Sequence, residues 1–183
     1  MKTSAGKALR TAAAVLAYAA CTATPGGAAE RTQVQIARAM SAGPPAIGAH
    51  ATIVDMDAKG KPIVLRPGTN GFTCYIGHAH TIADDPFCAD AAGMQWTYDW
   101  MAHKAKPTNT TPGVIYMLAG GTDWSANDPW ATKGASIREP AHYMIMWPFT
   151  AKASGLTTKV KNDGTWIMWA GTPYAHLMVN QRP

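Results

Sequence analysis

His142, Met144 and Met146 alternate along the chain, and His176 and Met178 repeat the alternation near the C-terminus. Alternate residues of an extended strand share one face, so each segment would present imidazole and thioether groups together. Imidazole with thioether is a soft donor set that suits Cu(I). If the two strands pair, opposed side chains stand about 4.5–5.5 Å apart, near enough to share one ion. Copper is the cofactor this pattern points to. The same residues have a plainer use, because methionine is a flexible filler of apolar cores.

Three further groups carry chemistry. His78, His80, Asp84 and Asp85 lie within eight residues and suit Zn²⁺ or Cu²⁺, or else form a solvated polar loop. Asp99 and His103 stand four apart in a helical stretch, the spacing at which a carboxylate can orient an imidazole as a general base. That pair would serve a small hydrolase-type enzyme, but no nucleophile accompanies it. The four serines beyond residue 29 (Ser41, Ser125, Ser136 and Ser154) include no G-x-S-x-G elbow. HExxH, P-loop and dinucleotide-glycine motifs are also missing, so an enzyme is the less favoured expectation. Finally, Trp124 and Trp130 sit among Asp123, Asn127 and Asp128. Exposed, they would form a carbohydrate- or protein-binding loop; folded down, a lid over a satellite core.

The elements that must position these groups follow from periodicity. Residues 30–41 read as a short amphipathic helix stopped by Gly43, Pro44 and Pro45. Residues 51–56 and 62–66 read as a hairpin around Asp57-Ala58-Lys59-Gly60, and 72–76 as a third strand. Residues 77–88 form a loop. A helix is expected over 90–104, with Asp90 as N-cap and Lys104 and Lys106 at its C-terminal end. Residues 113–119 read as a strand, 120–140 as a long irregular loop, and 142–147, 165–170 and 173–179 as strands. The expected class is α+β: a mainly antiparallel sheet, one principal helix packed on it, and one disulfide-stapled loop.

Residues 1–29 hold Lys2, Lys7 and Arg10, no acid, an Ala-rich apolar stretch and small residues up to Ala29. That is the order of a cleaved signal peptide, leaving residues 30–183 as one compact domain in the periplasm or outside the cell. Cys21, preceded by two alanines, offers lipid attachment as a minor alternative. Three of the 16 Lys and Arg fall in this leader and none of the 11 Asp and Glu, so the remainder carries a formal charge of only +2. No basic patch remains for nucleic acid, and no apolar run is long enough to span a membrane. The partners expected are therefore a metal ion or small ligand, or a protein. Cys74 and Cys88 are the two cysteines left, and an exported chain favours a disulfide between them.

Several stretches resemble a family of small secreted bacterial proteins of no known activity. They are Gly68-Thr69-Asn70-Gly71-Phe72-Thr73-Cys74, then Cys88 with Asp90, the helix from Trp96 to Lys104, His142-Tyr143-Met144-Ile145-Met146, and Gly171-Thr172-Pro173-Tyr174-Ala175-His176-Leu177-Met178. The resemblance covers roughly residues 45–183 and implies export and a single compact domain. It implies no activity.

Overall fold

The computed structural model describes residues 25–181, with side chains from residue 29 onward. Most of the expected leader, Cys21 included, lies outside the described residues. Helix α1 (Pro25–Ser41) begins ahead of the cleavage point expected after Ala29. Among the described residues no helix is long and apolar enough to cross a membrane.

The class is α+β, as expected. After α1 come a single turn, α2 (Pro45–Gly48), and the strands β1 (Thr52–Met56), β2 (Pro62–Arg66), β3 (Thr73–Tyr75) and β4 (Phe87–Ala89). Helix α3 (Ala91–Met101), β5 (Gly113–Met117), β6 (Gly121–Asp123), β7 (Ile137–Glu139) and β8 (His142–Met146) follow. The short α4 (Ala151–Ser154), β9 (Gly164–Met168) and β10 (His176–Asn180) complete the described chain. Eight strands form one sheet in the order β2-β1-β3-β4-β5-β8-β10-β9. Every pairing in it is antiparallel except β1 with β3. Strands β6 and β7 make a separate two-stranded ribbon inside the stretch expected to be irregular.

The two faces of the sheet have different covers. On one face α1 packs Ile36 and Ala39 against Ile53, Cys74 and Cys88. Cys74 and Cys88 are directly opposed on β3 and β4 and form the disulfide, fully buried. On the other face α3 lies over Ile115, Met144, Met146 and Met178. Its N-terminus is fixed as expected, since the Asp90 side chain accepts from the Gly93 amide at 2.7 Å. The helix lies very close to β5. A Cβ on Gly113 would fall 2.3 Å from the Gly93 nitrogen, so this approach admits only glycine.

Helix α3 ends at Met101, before the expected Lys104. His103 takes the left-handed conformation (φ 52°), and the Lys104 amide turns back to donate to the Asp99 carbonyl at 3.0 Å. The Lys104 ammonium then reaches the fully buried Asp99 carboxylate at 2.5 Å. Asp99 also accepts from the Thr108 amide and hydroxyl, both at 2.6 Å, and from Gln95 at 3.0 Å. Burial alone would raise its pKa, but these donors outweigh it and hold the carboxyl below its ordinary value.

Candidate functional site

Under α3, between the sheet and the β6–β7 ribbon, lies a cavity of roughly 550 Å³. The strand register explains its lining. Met117 stands opposite His142 and His142 opposite Asn180; Ile115 stands opposite Met144, Met144 opposite Met178 and Met178 opposite Trp166; His176 stands opposite Met168. All project to the α3 side, because alternate residues share a face. Met117, Ile115, Met144, Met146 and Met168 line the floor, and Trp96 and Trp100 of α3 line the roof. Trp169 closes one side, stacked at 5.8 Å on Trp96 and 5.7 Å on Trp100.

The register divides the expected His/Met ligand set. His176, Met144 and Met146 line the cavity; His142 and Met178 are not among its lining residues. The partner of His142 on β10 is Asn180, four residues beyond His176. At about 3.3–3.4 Å per residue the two imidazoles are rooted roughly 13 Å apart along the sheet, too far to share one ion. Antiparallel pairing brings the two Met positions together and sends the two His to opposite ends.

Both histidines are oriented alike. His176 Nδ1 lies 3.0 Å from the Tyr174 carbonyl oxygen and His142 Nδ1 2.7 Å from that of Pro140. A carbonyl only accepts, so each Nδ1 carries the hydrogen and each Nε2 holds a lone pair. Both Nε2 atoms are buried and have no hydrogen-bond partner among the described residues. His176 is 1% exposed; burial pushes its pKa down to about 4, with the Tyr174 carbonyl opposing and His142 adding to the fall. Burial likewise lowers His142. The rings of Trp96 and Trp169 meet His176 edge-on at 5.4 and 5.0 Å.

The other end of the cavity is acidic. Asp85, Asp123 and Glu139 line it. Asp85 Oδ2 is fixed by the Thr122 amide at 2.6 Å and the Thr122 hydroxyl at 2.8 Å. Glu139 is 6% exposed, and its Oε1 has no hydrogen-bond partner among the described residues. Burial first, then the charges of Asp123 and Asp85, push Glu139 up to about 8. Asp123 rises to about 6, again chiefly through burial, although the Ser125 and Trp124 amides pull it down. Sequence reasoning missed Glu139. It sits three residues before His142, and only the β6–β7 pairing of Gly121 with Glu139 brings it to the cavity.

The remaining expectations fare differently. His78 is exposed on the cavity rim, its Nδ1 2.7 Å from Asp84 Oδ2 and its Nε2 3.5 Å from Asp55 Oδ1. Tyr75 donates to Asp84 Oδ1 at 2.6 Å, and burial with that bond pushes its phenol well above the ordinary value. His80 is exposed, in the left-handed conformation (φ 69°). Among the described residues no three His, Cys, Asp or Glu side chains converge as a metal site. The expected Asp99–His103 couple is not assembled. Asp99 is engaged by Lys104, Thr108 and Gln95, while the exposed His103 stacks on Trp130 at 5.2 Å. Trp124 and Trp130 are half-buried. Their loop is tied down as a lid: Trp100 Nε1 donates to the Pro129 carbonyl at 2.7 Å, Trp130 Nε1 to the Trp100 carbonyl at 3.2 Å, and Trp169 Nε1 to the Ser125 carbonyl at 2.9 Å.

Fold and site together define an α+β protein in which an eight-stranded sheet, a helix and a two-stranded ribbon border a methionine- and tryptophan-lined cavity. Comparison with protein-family models, with curated proteins and with solved structures finds no match.

Proposed function

We propose that the protein binds a small, largely apolar molecule inside this cavity. The observation that carries the reading is the cavity itself: roughly 550 Å³, walled by thioether and indole side chains, with a few buried polar atoms at its ends. That is the usual composition of a ligand site, where apolar area supplies affinity and sparse polar groups fix orientation. Methionine walls adapt to varied ligand shapes. The expected leader and the disulfide favour export, so the ligand would be met in the periplasm or outside the cell.

Tryptophan fluorescence reads binding directly, because Trp96, Trp100 and Trp169 line the cavity. The apolar probe N-phenyl-1-naphthylamine should bind saturably, one per chain, and quench that emission. Ile115→Trp, which narrows the floor beside Met144, should weaken the probe at least about tenfold, a loss of roughly 1.4 kcal/mol. Absence of saturable binding by the folded wild type refutes the reading.

A second reading is favoured by the buried, unpartnered Nε2 of His176. A ligating histidine characteristically donates its other ring nitrogen to a carbonyl, as His176 does to Tyr174. With Met168 opposite it and Met146 on the same cavity wall, His176 would offer Cu(I) a soft donor set. Cu(I) competition against bicinchoninate should then show sub-micromolar affinity, lowered by His176→Ala or Met168→Leu and unchanged by His142→Ala. Equal affinity of the His176→Ala protein removes copper from the account.

A further inference from the structure

We propose that the acidic end of the cavity seats an ammonium group, so that the ligand is an organic amine with an apolar body. This rests on the cavity reading above and adds the chemical class of the ligand.

The carboxyl groups of this end share one space. A Cβ built on Gly121 would lie 3.6 Å from Asp85 Oδ2 and 3.7 Å from Glu139 Oε2, so both oxygens flank the space beside this glycine, into which the mobile end of Met117 reaches. Asp85 is held there by Thr122, and Asp123 adds a third carboxyl group to the same wall. Glu139 is more than nine-tenths buried and its Oε1 has no donor. The nearest imidazole gives none: His142 Nε2 stands 3.8 Å from Glu139 Oε2, but its hydrogen is on Nδ1, committed to Pro140. No lysine or arginine is among the described residues lining the cavity, and Arg138 lines only the smaller neighbouring hollow that Asp85, Gly121 and Glu139 also border. A buried carboxyl group in this setting is stabilised by a positive donor, and an alkylammonium brings three N–H bonds with its charge.

The rest of the cavity excludes a bare cation as the natural occupant. Beyond Glu139 the wall continues into Met117, Ile115 and Met144, with Trp96 and Trp100 above. Those surfaces match an alkyl or aryl body, and the indole faces favour a nearby positive charge. A carboxylate ligand would meet three acidic groups, with the charges of Asp85 and Asp123 against it. A neutral ligand of the same shape would leave Glu139 without a charged partner.

Three ligands with one apolar body test this: 4-phenylbutylamine, 4-phenylbutan-1-ol and 4-phenylbutyrate, titrated calorimetrically into the full chain at pH 7. The amine should bind roughly ten- to a hundredfold more tightly than the alcohol, the range expected of charge-assisted hydrogen bonds, and the carboxylate most weakly. Glu139→Gln should lower amine affinity about tenfold and leave the alcohol unchanged. Gly121→Ala, which fills the seat without altering charge, should do the same. Its Cβ meets only the mobile end of Met117 at close range, at 2.8 Å, so the fold can absorb it. Equal binding of amine and alcohol overturns the ammonium seat and leaves the cavity reading intact. Failure of all three ligands overturns both. Displacement of the amine by micromolar Ca²⁺ assigns the wall to a metal ion and overturns the proposal.

Discussion

A chain carrying Cys74→Ala and Cys88→Ala should unfold about 3 kcal/mol more readily than the oxidised wild type. The bridge spans a sequence separation of 14, and closing a loop of that size removes about this much denatured-chain entropy. Both sulfurs also sit in the apolar cluster under α1, where a Cβ on Gly43 would lie only 2.8 Å from Cys88 Sγ, so glycine at 43 is what lets that segment pack on the bridge. The consequence reaches the cavity. Tyr75 and Phe87 follow and precede the two cysteines, oppose each other across β3 and β4, and point into the cavity on the opposite face. Urea unfolding followed by tryptophan fluorescence gives the stability, and wild type with dithiothreitol should reproduce the variant. A double variant within about 0.5 kcal/mol of the oxidised wild type would show that the bridge is incidental, since surface substitutions alone move stability that little.

Much of the sheet was legible because its strands alternate. The burial of β8 reads buried, intermediate, buried, intermediate, buried along His142–Met146, and β10 repeats it along His176–Asn180. That is the pattern a period of two predicts for strands carrying a core on one face. Strands of three residues carry no such period. Phe87 and Cys88 fall at the end of the stretch 77–88 that reads as a loop, and the short β6 (Gly-Thr-Asp) and β7 (Ile-Arg-Glu) show no apolar alternation. Asp90 was legible as a cap because its side chain acts on a residue three positions away. The end of α3 was not, because Lys104 leaves the helix for a buried carboxylate that local propensity does not register.

The site was legible in composition and not in geometry. His176, Met144 and Met146 are cavity residues, and their types and spacing drew notice for chemical reasons that still hold. What sequence spacing could not supply was the register. One antiparallel pairing sets Met144 against Met178 and separates His142 from His176 by four residues along the sheet. The acidic end was hidden more deeply. Asp85 precedes β4, Asp123 ends β6 and Glu139 ends β7, and only tertiary packing gathers them. Their like charges in apolar surroundings break the rule that buried carboxyl groups be paired, and such breaches in an otherwise consistent fold concentrate at functional sites.

That breach predicts how stability depends on pH. Glu139 has a folded-state pKa of about 8 against an ordinary 4.5. Below pH 4.5 it is protonated whether the chain is folded or not and has no effect. Between about 4.5 and 8 the unfolded chain releases the proton and the folded chain keeps it, so stability falls as pH rises; above about 8 the full penalty remains, on the order of 5 kcal/mol. His176 sets the opposite limit. Its folded pKa of about 4 lies below the ordinary 6.5, so stability is lost as pH falls from about 6.5 to 4. The ligand-free protein should therefore be most stable near the overlap of the two windows, at mildly acid pH. Glu139→Gln keeps the shape of the side chain and abolishes its ionisation. Its thermal midpoint should match that of the wild type at pH 4.5 and exceed it by about 10–20 °C at pH 8.5, taking 2–4 °C per kcal/mol for a chain of this size. Saturating amine should narrow that gap by stabilising the wild type more than the weaker-binding variant, since binding to the folded state shifts unfolding by mass action. Parallel midpoints for the two proteins from pH 4.5 to 8.5 would mean that Glu139 ionises freely in the fold, and the buried acidic end would not exist as described.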